Sequence, residues 1–280
     1  MTWQVLTGSN ALDTGKIRGL MSPGPLQMLG QITTLAETDS TNTFLKRLPL
    51  DQQHAHAVFA QSQTGGRGRR QRSWFSPPGC NVYLSLGWFF GASCGPLSTL
   101  PLAVAVATCR ALSRIGIEGH GIKWPNDILA GGAKLAGILV ESQASGAEAI
   151  YSVIGVGLNV LMPAEGADAV IDRPWTDIDS LLPGKEKKWS RHAIAANLLQ
   201  ELLLGAGEFE ASGFRTFEQE WCELDLLVGK EVLLQQNGAI ISGVARGIDA
   251  TGGLVLEMEE PGSKTVRQAF HAGEVSVHRD

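Results

Sequence analysis

Apolar residues follow two different periods along the first 226 positions, and both kinds of element are predicted there. Residues 81–88 alternate large apolar side chains with small or polar ones, which is typical of a β-strand. Residues 97–116 form an apolar run that ends at Gly116, as buried helices do. Residues 190–210 predict a helix with one apolar face, and Ser190 is a good N-cap for it. By the same criteria, we expect strands at 56–63, 121–124, 133–142 and 149–160, and helices at 39–48 and 214–224.

The helical spacing ends near residue 226. Five short strand-like runs follow, separated by turn signals such as "QNGA" and "DATGG", and no helix pattern appears before the end of the chain. This texture predicts a small closed β-barrel of the SH3-like kind. We therefore divide the chain into an N-terminal extension, a larger domain and the small barrel, at residues 1–34, 35–226 and 227–280.

Composition narrows the class of protein. The 280 residues are 44% hydrophobic and carry a net charge of -5, so a general nucleic-acid binder is not expected and any anion site must be local. The four cysteines form no CxxC pair, the N-terminus shows no secretory signal, and the long uncharged stretch after Arg72 is broken by proline and glycine. These features predict a cytoplasmic protein that does not enter the membrane.

A basic, glycine-rich stretch stands out against this acidic background. Residues 65–79 read "GGRGRRQRSWFSPPG", with four arginines in six positions. Glycines allow successive backbone N–H groups to point at one anion, and arginine can bind phosphate or carboxylate through two parallel hydrogen bonds. The spacing matches neither a Walker A loop nor a dinucleotide fingerprint. The residues alone leave two interpretations open, a phosphate-binding loop and a solvated loop.

Two further stretches hold polar residues where a core pattern does not require them. "DSTN" at 39–42 begins a predicted helix, where it could bind a polar ligand or act only as a cap. In residues 123–142, Asn126 and Asp127 follow a proline at a turn, and Lys134 begins a very apolar strand. Spacing alone favours a turn aspartate and a snorkelling lysine at a strand end over a binding site. The histidines show no metal or triad spacing, so we expect no protein metal site.

In their order and spacing, these stretches resemble the biotin–protein ligases. The matching pieces are "DSTN", "SQTGGRGRRQRSWFSP", "NVYLSL", "KWPNDI", "KLAGILVE", "IGVGLN" and the C-terminal "HAGEVSVH", within residues 35–280. The resemblance implies an α+β fold, with a mixed β-sheet flanked by helices as in class II aminoacyl-tRNA synthetases, plus an SH3-like barrel. It implies that biotin and Mg-ATP form biotinyl-5'-AMP, and that biotin then passes to a lysine of the biotin carboxyl carrier protein of acetyl-CoA carboxylase.

The resemblance also implies roles for individual residues. Lys134, Asp127 and Arg69 would be catalytic. Biotin would contact Ser40, Thr41, Asn42, Gln63, Arg67, Gly68, Arg69 and Lys134. ATP and the adenylate would contact Arg69, Arg72, Trp74, Asn126, Lys134, Asn159 and Trp175, with Arg246 a weaker candidate. Biotin and ATP are the expected ligands, with Mg²⁺ and no metal held by protein side chains alone.

Two departures from the family pattern bear on function. The family's loop usually has glycine where this chain has Gln71, which removes one permissive backbone position. Some members begin with a DNA-binding domain, but about 35 residues precede the match here, fewer than a domain needs, and "MSPGP" is expected to break helices. We expect no DNA binding, and a homodimer is left open. Alternatives are a lipoate–protein ligase and a nucleic-acid-binding module.

Overall fold

Two β-sheets organise the chain in a computed structural model that describes residues 11–91, 94–145, 149–182, 189–260 and 264–277. The start of the N-terminal extension and His278 lie outside these residues. The strands of the first sheet are β1 (Gln31–Leu35), β2 (His56–Ala60), β3 (Val82–Gly91), β4 (His120–Lys123), β5 (Asp127–Ala130), β6 (Ala133–Ser145) and β7 (Ala149–Leu158). Their spatial order is β1-β2-β3-β7-β6-β5-β4. Only the β1–β2 pair is parallel among the pairs described, so the sheet is mixed as expected.

Helices cover both faces of this sheet. They are α1 (Thr14–Gly19), α2 (Pro23–Met28), α3 (Thr41–Arg47), α4 (Leu100–Arg114), α5 (Ala164–Ala167), α6 (Ile178–Leu181), α7 (Arg191–Ser212) and α8 (Glu218–Leu224). The apolar α4 and α7 pack on one face within the main core, whereas α3 covers the other face through Leu45. Ser190 caps α7 by accepting a hydrogen bond from the Ala193 N–H at 3.1 Å. The predicted helix-flanked sheet is thereby confirmed.

Three details of local structure differ from expectation. The "MSPGP" stretch follows the end of α1 at Gly19 but also starts a helix, because α2 begins at Pro23, where the missing N–H has no intrahelical partner to lose. The helix packs on α7, and the Ser22 N–H donates to Gln200 Oε1 at 2.6 Å. Asn126 lies at the expected turn, but Asp127 is the first residue of β5, a strand that was not expected between 121–124 and 133–142. The predicted helix at 214–224 begins with a 3-10 turn, Gly213–Thr216.

The C-terminal segment forms the second sheet. Its strands are β8 (Glu231–Gln236), β9 (Ala239–Ile248), β10 (Leu254–Glu260), β11 (Lys264–Phe270) and β12 (Glu274–Val277). They are antiparallel in the order β11-β10-β9-β8-β12, which confirms the predicted all-β C-terminal module. The division into segments at 34 and 226 stays a prediction, and β1 spans the first of these boundaries.

The turn between β9 and β10 attaches the second sheet to the larger domain. Trp124 donates its indole N–H to the Gly252 carbonyl at 3.0 Å, and the Ser98 hydroxyl donates to the Thr251 carbonyl at 2.9 Å. Trp124 directly precedes the segment that carries Asn126 and Asp127. The small domain therefore helps to fix that segment. In the described part of the chain, no helix has the length and apolar character to cross a membrane.

Candidate active site

A cleft of about 460 Å³ lies over strands β6 and β7, a volume within the range of small-molecule sites. Its walls come from the start of α3, the segment 123–127, the segment 170–175 and the start of β12. Residues 67–75 form the lid of the cleft. We call residues 66–75 the arginine loop. The cleft thus draws on residues from both domains.

The structure brings all but one of the candidate residues together. Those that line the cleft are Ser40, Thr41, Asn42, Gln63, Arg67, Gly68, Arg69, Arg72, Trp74, Asn126, Asp127, Lys134, Asn159 and Trp175. Arg246, the weaker candidate, is exposed on the second sheet, where its Nη2 lies 2.5 Å from Glu257 Oε1. Arg246 does not line the cleft, and its charge is paired with Glu257 on another surface. The individual roles of the lining residues stay predictions.

The arginine loop is a small hairpin. The Trp74 N–H donates to the Gly66 carbonyl at 2.8 Å, and the Gly68 N–H donates to the Arg72 carbonyl at 2.7 Å. At the tip, Arg70 and Gln71 have φ values of 54° and 60°. Left-handed backbone costs a non-glycine residue about 1–2 kcal/mol. Gln71, which replaces the family's glycine, therefore has a backbone conformation that favours glycine. The loop is strained at this residue.

Cations dominate the cleft although the chain is acidic. Seven lysine and arginine side chains line it, against three carboxylates: Arg67, Arg69, Arg70, Arg72, Lys123, Lys134 and Arg173, against Asp127, Asp172 and Glu274. Burial lowers the pKa of Arg69, and the charge of Arg70 lowers it further. Burial likewise lowers the pKa of Lys123. An anionic ligand would relieve this crowding of positive charge, so the cleft is suited to phosphate or carboxylate groups.

An ion pair occupies the centre of the cleft. Lys134 Nζ lies 2.6 Å from Asp127 Oδ1 and 5.2 Å from the centre of the Trp74 ring. The Asn126 amide donates to the Ile138 carbonyl at 2.7 Å, while its Oδ1 accepts from Arg69 Nη1 at 3.4 Å. The loop tip and the opposite wall therefore meet at Asn126. Lys134 is placed where a cation can reach a ligand on the cleft floor.

Glycines make room for the aromatic ring on that floor. A Cβ atom at Gly157 would lie 2.5 Å from Trp74 Cε2, and one at Gly137 would lie 2.8 Å from Trp74 Cζ3. Both are closer than van der Waals contact allows, so only glycine admits the ring here. The indole Nε1 is buried and has no hydrogen-bond partner within the described ranges.

The polar residues at the start of α3 form a connected network. Ser85 is fully buried, and its Oγ lies 2.7 Å from Thr41 Oγ1 and 2.5 Å from Asn42 Oδ1. The Thr41 N–H donates to Gln63 Oε1 at 3.0 Å. Ser40 occupies the cap position but makes no side-chain capping bond. The network presents fixed, uncharged polar groups to the cleft.

Glu141 orders this network from outside the cleft. It accepts from Asn42 Nδ2 at 2.9 Å and from Lys46 Nζ at 2.8 Å, and Arg67 Nη2 lies 3.3 Å away. Burial alone would raise the pKa of Glu141, but the hydrogen bonds from Lys46 and Asn42 and the charge of Arg67 bring it below its ordinary value. The carboxylate thus fixes which way the Asn42 amide points and holds the base of the arginine loop.

The segment around Trp175 closes the other end of the cleft. The Lys134 N–H donates to the Pro174 carbonyl at 2.9 Å, and the Thr176 N–H donates to the Lys134 carbonyl at 3.0 Å. Asn159 is buried and donates to the carbonyls of Lys134 and Thr176 at 3.2 and 3.0 Å. The Trp175 indole donates to Asp168 Oδ1 at 3.0 Å. Asn159 therefore supports the backbone of Lys134.

Sequence reasoning overlooked several residues at or beside the cleft: Ser85, Lys123, Glu141, Arg173 and Glu274. Signals existed in the quoted motifs, because Ser85 lies in "NVYLSL", Glu141 ends "KLAGILVE" and Glu274 lies in "HAGEVSVH". Nothing in the sequence placed Glu274 at the cleft, since it belongs to the other domain. Only the packing of the two domains brings it to the cleft.

Comparisons with known proteins agree with this geometry. The biotin/lipoate A/B protein ligase family matches residues 35–159, and the biotin protein ligase C-terminal domain matches residues 227–277. The bifunctional ligase/repressor BirA of Escherichia coli is 32% identical over 93% of this chain and 81% of its own. The biotin–[acetyl-CoA-carboxylase] ligase of Paracoccus denitrificans is 30% identical over 86% of this chain and 98% of its own.

Among solved structures, the biotin protein ligase of Aquifex aeolicus in complex with biotin and ATP is similar. It aligns with a TM-score of 0.71 and 27% identity, over 90% of this chain and all of that one. The resemblance seen in the sequence motifs is thus confirmed in both domains.

Proposed function

Because the chain belongs to the biotin protein ligases, we propose that its cleft forms biotinyl-5'-AMP and transfers biotin to a carrier protein. The protein is an ATP-dependent biotin–[acetyl-CoA-carboxylase] ligase. The biotin carboxylate attacks the α-phosphorus of ATP and pyrophosphate leaves. The ε-amine of the carrier lysine then attacks the acyl carbon, and AMP leaves. One observation carries this proposal: a cleft that joins an uncharged polar network to a cationic cluster.

Biotin is assigned to the network at the start of α3. The ureido ring of biotin is neutral and polar, so it needs fixed donors and acceptors rather than charge. Ser40, Thr41 and Asn42 lie at that end of the cleft, and Ser85 and Glu141 hold two of them in place. Gln63, bonded to the Thr41 N–H, and Arg67 with Gly68 complete this end. The valeryl carboxylate then points towards Lys134.

The phosphates are assigned to the cationic part of the cleft. Joining a carboxylate to a phosphate brings two anions together, and preorganised cations stabilise that arrangement and the charge that develops. Lys134 and Arg69 reach the centre, with Arg72 beside them. Adenine is assigned to the end closed by Trp175, and Trp74 lies between the two ends. The indole of Trp175 is oriented by Asp168.

Asp127 has a role in the second step. Its carboxylate is paired with Lys134 when no ligand is bound. We propose that the phosphate draws Lys134 away, which leaves Asp127 to accept a hydrogen bond from the incoming lysine amine and orient it.

Mg²⁺ is assigned to the substrate as Mg-ATP. The described residues include no cluster of three or more side chains of the usual metal-binding types. Mg²⁺ in nucleotide sites is commonly held by phosphates and water, with one or two carboxylates. We also propose a cytoplasmic location, in keeping with four free cysteines and the use of ATP. The repressor role in the name of the Escherichia coli relative is not extended to this chain.

A thermal-shift experiment separates biotin from lipoate as the substrate. A ligand that binds only the folded state raises the melting temperature according to its concentration and affinity. We expect biotin with Mg-ATP to raise the melting temperature far more than either ligand alone, because the adenylate accumulates. Lipoic acid with Mg-ATP is expected to add nothing to the shift given by Mg-ATP. The reverse order would favour a lipoate ligase.

Replacing Gly155 with alanine is expected to weaken biotin binding. A Cβ atom at Gly155 would overlap Asn42 Oδ1, which Ser85 and Glu141 hold rigidly on the remaining sides. Displacing Asn42 breaks its hydrogen bonds, each worth about 1 kcal/mol. We expect the Kd for biotin to rise about ten-fold, measured by calorimetry. Gly24→Ala is the matched control for adding a methyl group, since a Cβ there meets no atom within 4 Å and its φ is not positive.

A further inference from the structure

Glu274 is the one carboxylate that the described part of the C-terminal domain contributes to the cleft. It is the first residue of β12, where it pairs with Gln235 of β8. The side chain is about one-third exposed. Its charge acts on Arg69 and on Lys123, both of which face the cleft. None of the roles assigned above uses it.

The carboxylate of Glu274 holds the arginine loop at two points. Arg72 Nη2 donates to Glu274 Oε2, and Arg70 Nη1 lies 3.9 Å from Glu274 Oε1. Arg70 is one of the two left-handed residues at the tip of the hairpin, and Arg72 directly follows the other, Gln71. Contacts at the strained pair and directly after it oppose its relaxation to an open conformation.

Arg69 directly precedes Arg70, the first of the two arginines that Glu274 contacts. Its guanidinium turns the other way, towards Asn126 Oδ1. Gly68 and Arg72 close the hairpin across it through their backbones. The direction of Arg69 is thus set by neighbours that Glu274 holds.

The strand that carries Glu274 belongs to a rigid support. The same domain accepts the Trp124 indole hydrogen bond at Gly252 and the Ser98 hydroxyl bond at Thr251. Trp124 precedes the wall formed by Asn126 and Asp127. The small domain therefore touches both the lid of the cleft and the wall that the lid meets.

We propose that Glu274 is a positioning residue that couples the C-terminal domain to the arginine loop and keeps the loop closed over the cleft. It acts through Arg70 and Arg72, and so presents Arg69 to the ligands without touching the reacting atoms. This inference rests on the proposed ligase function only for its kinetic consequence. The closure of the loop can be measured without any ligand.

The chain offers a matched control in the same domain. Glu257 also accepts two arginines, with Arg246 Nη2 at 2.5 Å and Arg267 Nε at 2.8 Å, but it does not line the cleft. Glu274→Gln and Glu257→Gln each remove one carboxylate charge that pairs with two arginines. Any difference between the two variants therefore reports on the arginine loop.

The first measurement is tryptic cleavage after the loop arginines in the unliganded protein, followed by mass spectrometry. Cleavage tracks the open fraction of the loop when opening is fast. We expect Glu274→Gln to be cleaved about three- to ten-fold faster than wild type, the effect of losing two partly exposed ion pairs. Glu257→Gln should be cleaved at the wild-type rate.

The second measurement is the kinetics of pyrophosphate release. We expect the KM for ATP to rise about three- to ten-fold in Glu274→Gln, with kcat within about two-fold, because saturating ligand recloses the loop. A double variant that exchanges the charges, Glu274→Arg with Arg72→Glu, should recover part of the protection from trypsin after Arg67, Arg69 and Arg70, the loop sites that this variant keeps. That variant keeps the test valid if Glu274→Gln folds poorly.

Wild-type cleavage and wild-type KM in a folded Glu274→Gln would overturn the proposal. So would an equal change in both measurements for Glu257→Gln. If the wild-type protein forms no adenylate, the proposed function fails, while the cleavage comparison still decides whether Glu274 holds the loop.

Discussion

Replacing Lys134 with alanine is expected to lower the rate of biotinyl-5'-AMP formation by about 10²–10³ while the protein stays folded, the size of effect seen when one preorganised charge-stabilising group is removed. Lys134 Nζ lies at the centre of the cleft, 2.6 Å from Asp127 and over the Trp74 ring. Its loss also leaves the Asp127 carboxylate unpaired where the phosphate must bind. Both effects oppose the approach of a second anion.

Pyrophosphate release in a single turnover measures this step directly. Lys134→Arg keeps the charge and is expected to retain more activity than the alanine variant. Lys16→Ala is the control for removing a lysine, because Lys16 is exposed on α1 and does not line the cleft. A folded Lys134→Ala protein that releases pyrophosphate at the wild-type rate would contradict the role assigned to this lysine.

Replacing Arg69 with glycine is expected to release biotinyl-5'-AMP early. Arg69 is half-buried at the tip of the arginine loop, and its bond to Asn126 is a contact between the lid and the opposite wall. Removing a charged partner from such a contact changes mainly the dissociation rate and costs about 2–5 kcal/mol. We therefore expect the adenylate to dissociate at least about 30-fold faster.

Free biotinyl-5'-AMP acylates exposed lysines of any protein nearby. Labelling of a bystander protein mixed with the enzyme, biotin and Mg-ATP is therefore the readout, alongside the dissociation rate of the adenylate. Arg267→Gly controls for losing an exposed arginine outside the cleft. An Arg69→Gly enzyme that forms the adenylate at the normal rate but labels no bystander lysines would exclude the shielding role of the loop.

Most of the sheet and its helices follow from local patterns. The alternation at 81–88 and the apolar run at 97–116 are strong local signals, and β3 and α4 lie where they were predicted, although β3 is buried on both faces. The strand β5 was not predicted, because its four residues lie between a proline-led turn and Gly131-Gly132, and this interval has the composition of a turn. The helix α2, which begins with Pro23, was not predicted, because proline breaks the interior of a helix but is favoured in its first turn.

The residues of the site also divide into those that local motifs could predict and those that only the packing of the chain brings together. Residues inside contiguous motifs, such as Asn126, Asp127 and Lys134, could be named from the sequence because the motif keeps them together. The left-handed backbone of Gln71 could be seen only as a departure from a pattern, and the structure gives it a physical meaning. Glu274 lies in the quoted motif "HAGEVSVH", but its pairing with Arg72 could not be predicted, since a pairing over about 200 residues depends on how two domains pack.

The mass of a biotin carrier domain after incubation with catalytic amounts of this protein, biotin and Mg-ATP tests the central claim most directly. The proposed function predicts the addition of one biotinyl group, on one lysine, dependent on ATP and lost when that lysine is replaced by arginine. A carrier that gains no mass while the enzyme is folded and saturated with both substrates, or one that gains a lipoyl group when lipoic acid is supplied instead, would contradict it.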